Sequence, residues 1–273
     1  MYQKTRITFS IFCPLFCCCL FLFFAKDSTE SSYYYFRKRL DYSRFKSILS
    51  IYRSYFVFGQ TIIDKIAISS GLKSKFTYDF DGIHRIKEVL KEKKGGILVS
   101  AHLGNFEIAE HFFGELEDKD CISLLTTDIE HTAIKNYLDT VMKKSNIKLI
   151  LIKDDLSHIF EINAALARNE IVCITGDRYI KGSKYLTQEL LGKEAKFPAG
   201  PFLIASRLKV PVLFVYVMKE SRKHYHLYAR SSKVKHRDAN ALLHDYTKSL
   251  EWMLNKYPLQ WFNYFDFWNA NKE

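Results

Sequence analysis

The feature that most restricts the fold is an alternation of helical and strand-like segments that begins near residue 83. Helical patterns with apolar residues every three or four positions are followed by short apolar runs, such as "GGILVSA" and "EIVCITG". The predicted strands lie at 95–101, 120–126, 146–152, 170–176, 211–218 and 224–231. The predicted helices lie at 83–93, from about Asn105, and at 130–145, 155–169, 199–208 and 239–257. Strands separated by helices predict an α/β fold, a mostly parallel mixed sheet flanked by helices and closed by a hairpin.

The length and composition fit a single core of this kind. The chain has 273 residues, 48% of them apolar, which is enough for one sizeable core but not for two ordinary domains and a membrane span. We find no internal repeat and no flexible linker. The predicted organisation is an N-terminal membrane anchor at residues 1–32 and one catalytic domain at residues 33–273.

The anchor is predicted from an uncharged run of 19 residues, Ile7 to Ala25, which is long enough to cross the hydrocarbon core of a bilayer. A cleaved signal peptide also begins with basic residues, but the end of this run lacks a small-x-small cleavage pattern. We therefore expect a retained hydrophobic helix that spans the membrane or lies in its interface. Basic residues are more numerous after the run than before it, so the positive-inside rule places the main body in the cytoplasm.

The segment from 31 to 72 mixes aromatic, basic and apolar residues at roughly helical spacing. Two interpretations remain open, an ordinary amphipathic layer over the core and a helix that lies on the bilayer surface. The net charge of +11 indicates an anionic partner, but the sequence has no nucleic-acid-binding motif. None of the six cysteines has zinc-ligand spacing with a histidine, so we expect a reducing compartment, no metal and no cofactor.

A candidate catalytic pair follows the strand at 95–101, where His102 is followed five positions later by Glu107. Sites in parallel sheets form at the carboxyl ends of the strands. A histidine there can take a proton from a hydroxyl, and a carboxylate on its second ring nitrogen fixes the tautomer and stabilises the imidazolium. The substrate's own hydroxyl would then be the nucleophile. The alternative is a polar strand-to-helix connection with an incidental histidine.

Four sequence blocks resemble the lysophospholipid and lipid A acyltransferase superfamily, whose signature is His-x4-Asp/Glu. In chain order they are "SAHLGNFEIA", "CITGDRY", "LLGKEAKFPAGPFLIASRLKVPVLFVYV" and "YPLQWFNYFDFW". The glutamate in the first block resembles the late lipid A biosynthesis branch. The resemblance covers essentially residues 40 to 268.

The resemblance implies transfer of an acyl group from a thioester to a lipid hydroxyl or amine. His102 would be the general base, Glu107 its orienting partner, and the substrate-binding residues would be Asn105, Asp177, Arg178 and Gly200. Asp177 and Arg178 follow the predicted strand at 170–176, at the same sheet edge as His102. Arg178 either clamps a substrate phosphate or oxyanion, or forms a loop-holding pair with Asp177, and the family often has Gln at its position. Gly200 either offers helix N–H groups to an anion or simply begins a helix.

The resemblance also implies the partners and the location. The donor would be acyl carrier protein or acyl-CoA, and the acceptor a lipid A-type glycolipid at the cytoplasmic face of the bacterial inner membrane. Alternatives are an aminolipid, polyene or lysophospholipid acceptor, or an acyl hydrolase that uses the same pair on water. Four lysines in the basic hairpin segment 178–196 could meet an acidic carrier protein or lipid headgroups, namely Lys181, Lys184, Lys193 and Lys196.

Overall fold

A computed structural model describes residues 25–109, 122–126, 148–152, 157–179, 182–234 and 236–268. The strands are β1 (Thr77–Asp81), β2 (Gly96–Ser100), β3 (Ile122–Thr126), β4 (Lys148–Leu151), β5 (Ile171–Thr175), β6 (Tyr185–Leu190), β7 (Lys193–Pro198), β8 (Val212–Ser221) and β9 (His224–Ser231). The α-helices are α1 (Lys26–Tyr34), α2 (Arg44–Ala67), α3 (Ile83–Lys91), α4 (Ser157–Ala167), α5 (Ala199–Arg207) and α6 (Ala239–Lys256). Single-turn 3₁₀ helices lie at Lys73–Lys75, Phe106–Ile108 and Pro258–Gln260, and π-helical turns extend α1 and α2. The predicted helix at 130–145 lies outside the described residues.

The main sheet has seven strands in the order β1-β9-β8-β2-β5-β3-β4. Strands β8, β2, β5, β3 and β4 are mutually parallel, whereas β9 runs antiparallel to β8 and β1 runs parallel to β9. The predicted α/β class with a mostly parallel mixed sheet is therefore confirmed, including the closing hairpin. Strands β6 and β7 form a separate antiparallel pair that begins within the basic segment 178–196 and ends at Pro198.

Helices cover the sheet on both faces, and successive side chains of a strand point to opposite faces. In β2, all five residues are buried. Ile97 and Val99 belong to a core cluster that includes side chains of α2, α4, α5 and α6, whereas Leu98 belongs to the cluster beneath α3. The near-continuous apolar run of the sequence thus reflects a central strand that is buried on both faces.

Strand β1 was not predicted from the sequence. Its five residues, "TYDFD", alternate between exposed and half-buried positions at the edge of the sheet. An edge strand of this kind carries charged residues and lacks the apolar run by which the central strands are recognised.

The predicted boundary between residues 32 and 33 falls inside α1, and the hydroxyl oxygens of Thr29 in α1 and Tyr55 in α2 lie 3.1 Å apart. The division into an anchor and a catalytic domain stays a prediction. Among the helices of the described residues, none is both long and apolar enough to cross a membrane. The run predicted as the anchor lies outside those residues except for Ala25.

A buried carboxylate ties the amino ends of β3, β4 and β5 together. The Glu170 side chain is 5% exposed and accepts hydrogen bonds from Lys148 Nζ at 2.6 Å, Arg168 Nε at 2.7 Å and Ser123 Oγ at 2.8 Å. Burial alone would raise the pKa of Glu170, but these donors outweigh it and lower the pKa to about 2. The cluster lies at the edge of the sheet opposite to His102 and has a structural role.

We expect Glu170→Gln to lower the free energy of unfolding at neutral pH by at most roughly 3 kcal/mol, the equivalent of this pKa shift. Because the folded-state pKa is depressed, the stabilisation is complete above about pH 4.5 and is lost as the pH falls towards 2. Urea unfolding between pH 7 and 3 tests this, with the exposed Glu161→Gln on α4 as the control. Parallel curves for wild type and Glu170→Gln across this range would contradict it.

Candidate active site

The loop after β2 places His102 at the carboxyl edge of the sheet. Gly104 has a φ of +68°, and a Cβ atom on it would lie 2.1 Å from the carbonyl oxygen of Val217 in β8. The N–H groups of Gly104 and Asn105 donate to Gln260 O and Val217 O, each at 2.8 Å. The "HLGN" stretch is thus held between the middle of β8 and the segment 257–268, and only glycine fits its third position.

We therefore expect Gly104→Ala to be strongly destabilising, because the methyl group would meet a backbone oxygen and alanine would be forced to a positive φ. A loss of about 2 to 4 kcal/mol in the free energy of unfolding is expected, together with loss of activity. Gly192→Ala is the matched control, since Gly192 also has a positive φ but has no atom within 4 Å of its Cβ position. Equal stability of the two variants would show that close approach to Val217 is unimportant.

Asp177 is the carboxylate that contacts the imidazole of His102. It follows the end of β5, the strand next to β2, and its side chain is fully buried. Asp177 Oδ1 lies 2.8 Å from His102 Nδ1, and Oδ2 accepts the backbone N–H of His102 at 3.0 Å. The sequence predicts Asp177 at the same sheet edge but as a substrate-binding residue, so its contact with the ring was not foreseen.

The Asp177 carboxylate is held in its ionised form. Burial raises the pKa of Asp177, but the positive charge available on His102 and the hydrogen bonds from His102 and Trp261 outweigh burial, and the pKa lies below its usual range. A backbone N–H and an indole N–H can only donate, so Oδ2 accepts both of them. Oδ1 then accepts from Nδ1–H, which leaves the basic lone pair of His102 on Nε2.

Trp261 completes the environment of this carboxylate. Its indole Nε1 donates to Asp177 Oδ2 at 3.1 Å, and the next residue, Phe262, donates its backbone N–H to His102 O at 2.8 Å. The indole ring packs edge-on against Tyr35 and Trp268, at centroid distances of 5.1 and 5.6 Å. From the sequence, Trp261 was identified only as part of the block "YPLQWFNYFDFW", and this polar contact was not predicted. A buried tryptophan that needs an acceptor was the available signal.

Tyr246 of α6 supports the same edge of the sheet. Burial, and then the negative charge of Asp177, raise the pKa of the Tyr246 hydroxyl well above its ordinary value. The hydroxyl therefore stays protonated and donates to Ser100 O at 3.0 Å. Gly176 N donates to the same carbonyl at 2.9 Å, so the ends of β2 and β5 are held in register beside the site.

The remaining predicted site residues have varied positions. Asn105 is buried and donates from Nδ2 to Thr61 O at 3.0 Å, which gives it a structural contact with α2. Arg178 is exposed, with Nη2 3.4 Å from Phe262 O, and Gly200 is an exposed residue in the first turn of α5.

The backbone of Glu107 lies in the 3₁₀ turn after His102, but its side chain is outside the described part of the structure. The substrate-binding roles and the role of Glu107 stay predictions.

The fold and the site together define an α/β protein with a histidine–carboxylate pair at the carboxyl edge of a mostly parallel sheet. The family model of bacterial lipid A biosynthesis acyltransferases matches residues 50–268. The chain belongs to this family, and it is therefore an acyltransferase. A comparison with curated protein sequences found no match.

Proposed function

We propose that the protein is a membrane-associated enzyme that moves a fatty acyl group from a thioester donor to a hydroxyl or amine of a lipid A-type glycolipid. The observation that carries the proposal is the buried, ionised Asp177 on Nδ1 of His102, in a chain of this family. This pair supplies a positioned base at the end of a strand. A reaction on an unactivated hydroxyl requires such a base.

In the proposed reaction, His102 Nε2 takes the proton of the acceptor hydroxyl while the hydroxyl oxygen attacks the thioester carbonyl carbon. The negative charge of Asp177 stabilises the imidazolium that forms. The new C–O bond is made, the C–S bond breaks, and the proton passes from Nε2 to the departing thiolate. The products are an acylated lipid and a free thiol, so no further reactant is required.

Two further residues have proposed roles in this scheme. Arg178 is exposed beside Phe262, whose N–H contacts His102 O, and its guanidinium suits an acceptor phosphate or the developing oxyanion. Glu107 follows His102 in the family signature, and we propose that it acts through His102 as a second carboxylate. Gly200 and Asn105 are proposed to shape the substrate site.

The proposed donor is an acyl carrier protein thioester, with acyl-CoA as the alternative. Lys184 is exposed on the hairpin segment, whereas Lys196 lies 4.5 Å from the Tyr185 ring centroid and Lys193 Nζ donates to the Tyr34 hydroxyl at 3.1 Å. An acidic carrier protein complements such a basic surface. The proposed location is the cytoplasmic face of the bacterial inner membrane, where a lipid acceptor and a cytoplasmic thioester meet.

The test is a transfer assay with the purified full chain, a detergent-dispersed lipid A-type acceptor and each thioester in turn. We expect acylated lipid only when donor and acceptor are both present, with the carrier-protein donor preferred. Release of free fatty acid without any acylated lipid would overturn transfer in favour of hydrolysis. Equal use of both donors would overturn the carrier-protein preference alone.

A further inference from the structure

Helix α2 has an unusual distribution of side chains. Four of its seven buried residues are small hydroxyl residues, namely Ser47, Ser50, Ser54 and Thr61, and the other three are Ile51, Tyr55 and Asp64. The residues that face solvent include large apolar side chains, namely Phe45, Ile48, Leu49, Ile62 and Ile63. An ordinary surface helix turns most of its large apolar residues towards the core and leaves few of them exposed. We call these five exposed side chains the outer face of α2.

The exposed charged residues of α2 itself are all basic. Arg44, Lys46 and Arg53 are exposed on α2, and the only acidic residue of the helix, Asp64, is buried. A second copy of the chain would bring two such sets of cations together. An anionic lipid surface would accept the apolar side chains between its headgroups and the cations on its phosphates.

The helix is firmly joined to the catalytic loop. The Asp64 carboxylate forms a buried ion pair with Lys219 of β8 and accepts from the Tyr225 hydroxyl at 2.6 Å. Asn105, three residues after His102, donates to Thr61 O at 3.0 Å. Breaking a buried ion pair costs several kcal/mol, so Asp64 holds α2 against β8, and the Asn105 hydrogen bond joins the catalytic loop to the same helix.

The helix also packs against the segment that carries Trp261. The rings of Phe58 and Phe262 lie 5.0 Å apart, and those of Tyr55 and Tyr264 lie 5.1 Å apart. These contacts, with those of Asp64 and Asn105, set the position of the outer face of α2 relative to the loop that carries His102. This arrangement suits an acceptor that stays in a bilayer while its reacting group reaches the site.

We infer that the outer face of α2 docks on an anionic lipid bilayer and orients the catalytic edge towards it. The inference rests on the proposed function only for the identity of the acceptor. The docking itself depends on the apolar side chains, their flanking cations and the uncharged run Ile7–Ala25 that precedes α1 in the sequence.

Photocrosslinking of the full chain tests the contact directly. A benzophenone amino acid replaces Phe45, which is 79% exposed, or in the matched control Phe160 on α4, which is 78% exposed. The protein is bound to vesicles of equal parts phosphatidylglycerol and phosphatidylethanolamine and irradiated. We expect phospholipid adducts at position 45 and at least tenfold fewer at position 160. Adducts of position 45 with a second copy, with residues 1–24 or with water only would overturn the inference.

A kinetic experiment separates docking from chemistry. In the triple variant Phe45→Ser, Ile48→Ser and Leu49→Ser, loss of apolar contact is expected to raise the KM for vesicle-embedded acceptor on the order of tenfold. The kcat and KM with detergent-dispersed acceptor should stay at wild-type values, as should both assays for Phe160→Ser. An unchanged KM on vesicles would overturn docking and leave the proposed function intact. Absence of transfer in both assays with wild type would overturn the proposed function and leave the crosslinking result to decide on docking.

Discussion

Replacing Asp177 by asparagine is expected to lower the rate of acyl transfer by about 10⁴-fold while the fold is retained. The asparagine oxygen can take the place of Oδ2 and accept from His102 N–H and the Trp261 indole, as the carboxylate does now. Its NH₂ group then faces His102 Nδ1 and donates to it. The imidazole must therefore carry its proton on Nε2, where it cannot act as a base.

This prediction is tested by comparing kcat in Asp177→Asn and Glu107→Gln, with thermal unfolding as the measure of folding. If Asp177 sets the tautomer, Asp177→Asn should lose more activity than Glu107→Gln at similar melting temperatures. The opposite order would show that Glu107 is the principal orienting carboxylate, as the resemblance of the His-x4-Glu block implies. If Asp177→Asn does not fold, Trp261→Phe is the second variant, because it removes one donor to Asp177 and leaves the tautomer unchanged. Trp261→Phe is expected to lose much less than the roughly 10⁴-fold in rate that a wrong tautomer costs.

His102→Ala is expected to lower transfer by 10² to 10⁴-fold, because the general base is removed. The fold should persist, since Asp177 keeps the backbone N–H of residue 102 and the indole of Trp261 as donors. His102→Asn is the matched control for structure, because an asparagine amide can still donate to Asp177 Oδ1 but cannot take a proton. Both variants should be inactive and folded.

The relation of Glu107 to His102 is tested by the double variant. If Glu107 acts through His102, adding Glu107→Ala to His102→Ala should cost little more than either single change. Multiplicative losses would assign Glu107 a separate role. Activity of His102→Ala or His102→Asn at the wild-type level would rule out the proposed mechanism.

The sheet edge and its histidine were predictable because they depend on local patterns. The run before His102 is short, apolar and bounded by glycine, and the alternation with helices requires parallel strands. The carboxyl ends of neighbouring parallel strands share one edge, so Asp177 and His102 were placed there together. The weakly patterned strand β1 was not predictable in this way, since its charged, half-exposed residues give no core signal.

The partner of the imidazole could not be chosen from the sequence. Glu107 is five positions from His102, but Asp177 is 75 positions away and Trp261 is 84 positions beyond Asp177. Which carboxylate reaches Nδ1 depends on the register of β2 against β5 and on the path of the loop around Gly104. Neither the strand register nor the path of the loop can be derived from the spacing of residues along the chain. For α2, the sequence has helical spacing, but this spacing does not determine which face of the helix packs against the core.

The contact of Trp261 with Asp177 has a consequence for biosynthesis. A ribosome translates His102 and Asp177 well before it reaches the tryptophan and the Phe262 amide that holds the histidine loop. A nascent chain that stops short of these residues has both groups of the catalytic pair but not the contacts that set them in place. Unfinished translation products are therefore expected to remain inert, so competence for acylation is acquired only when synthesis has passed the aromatic closing segment.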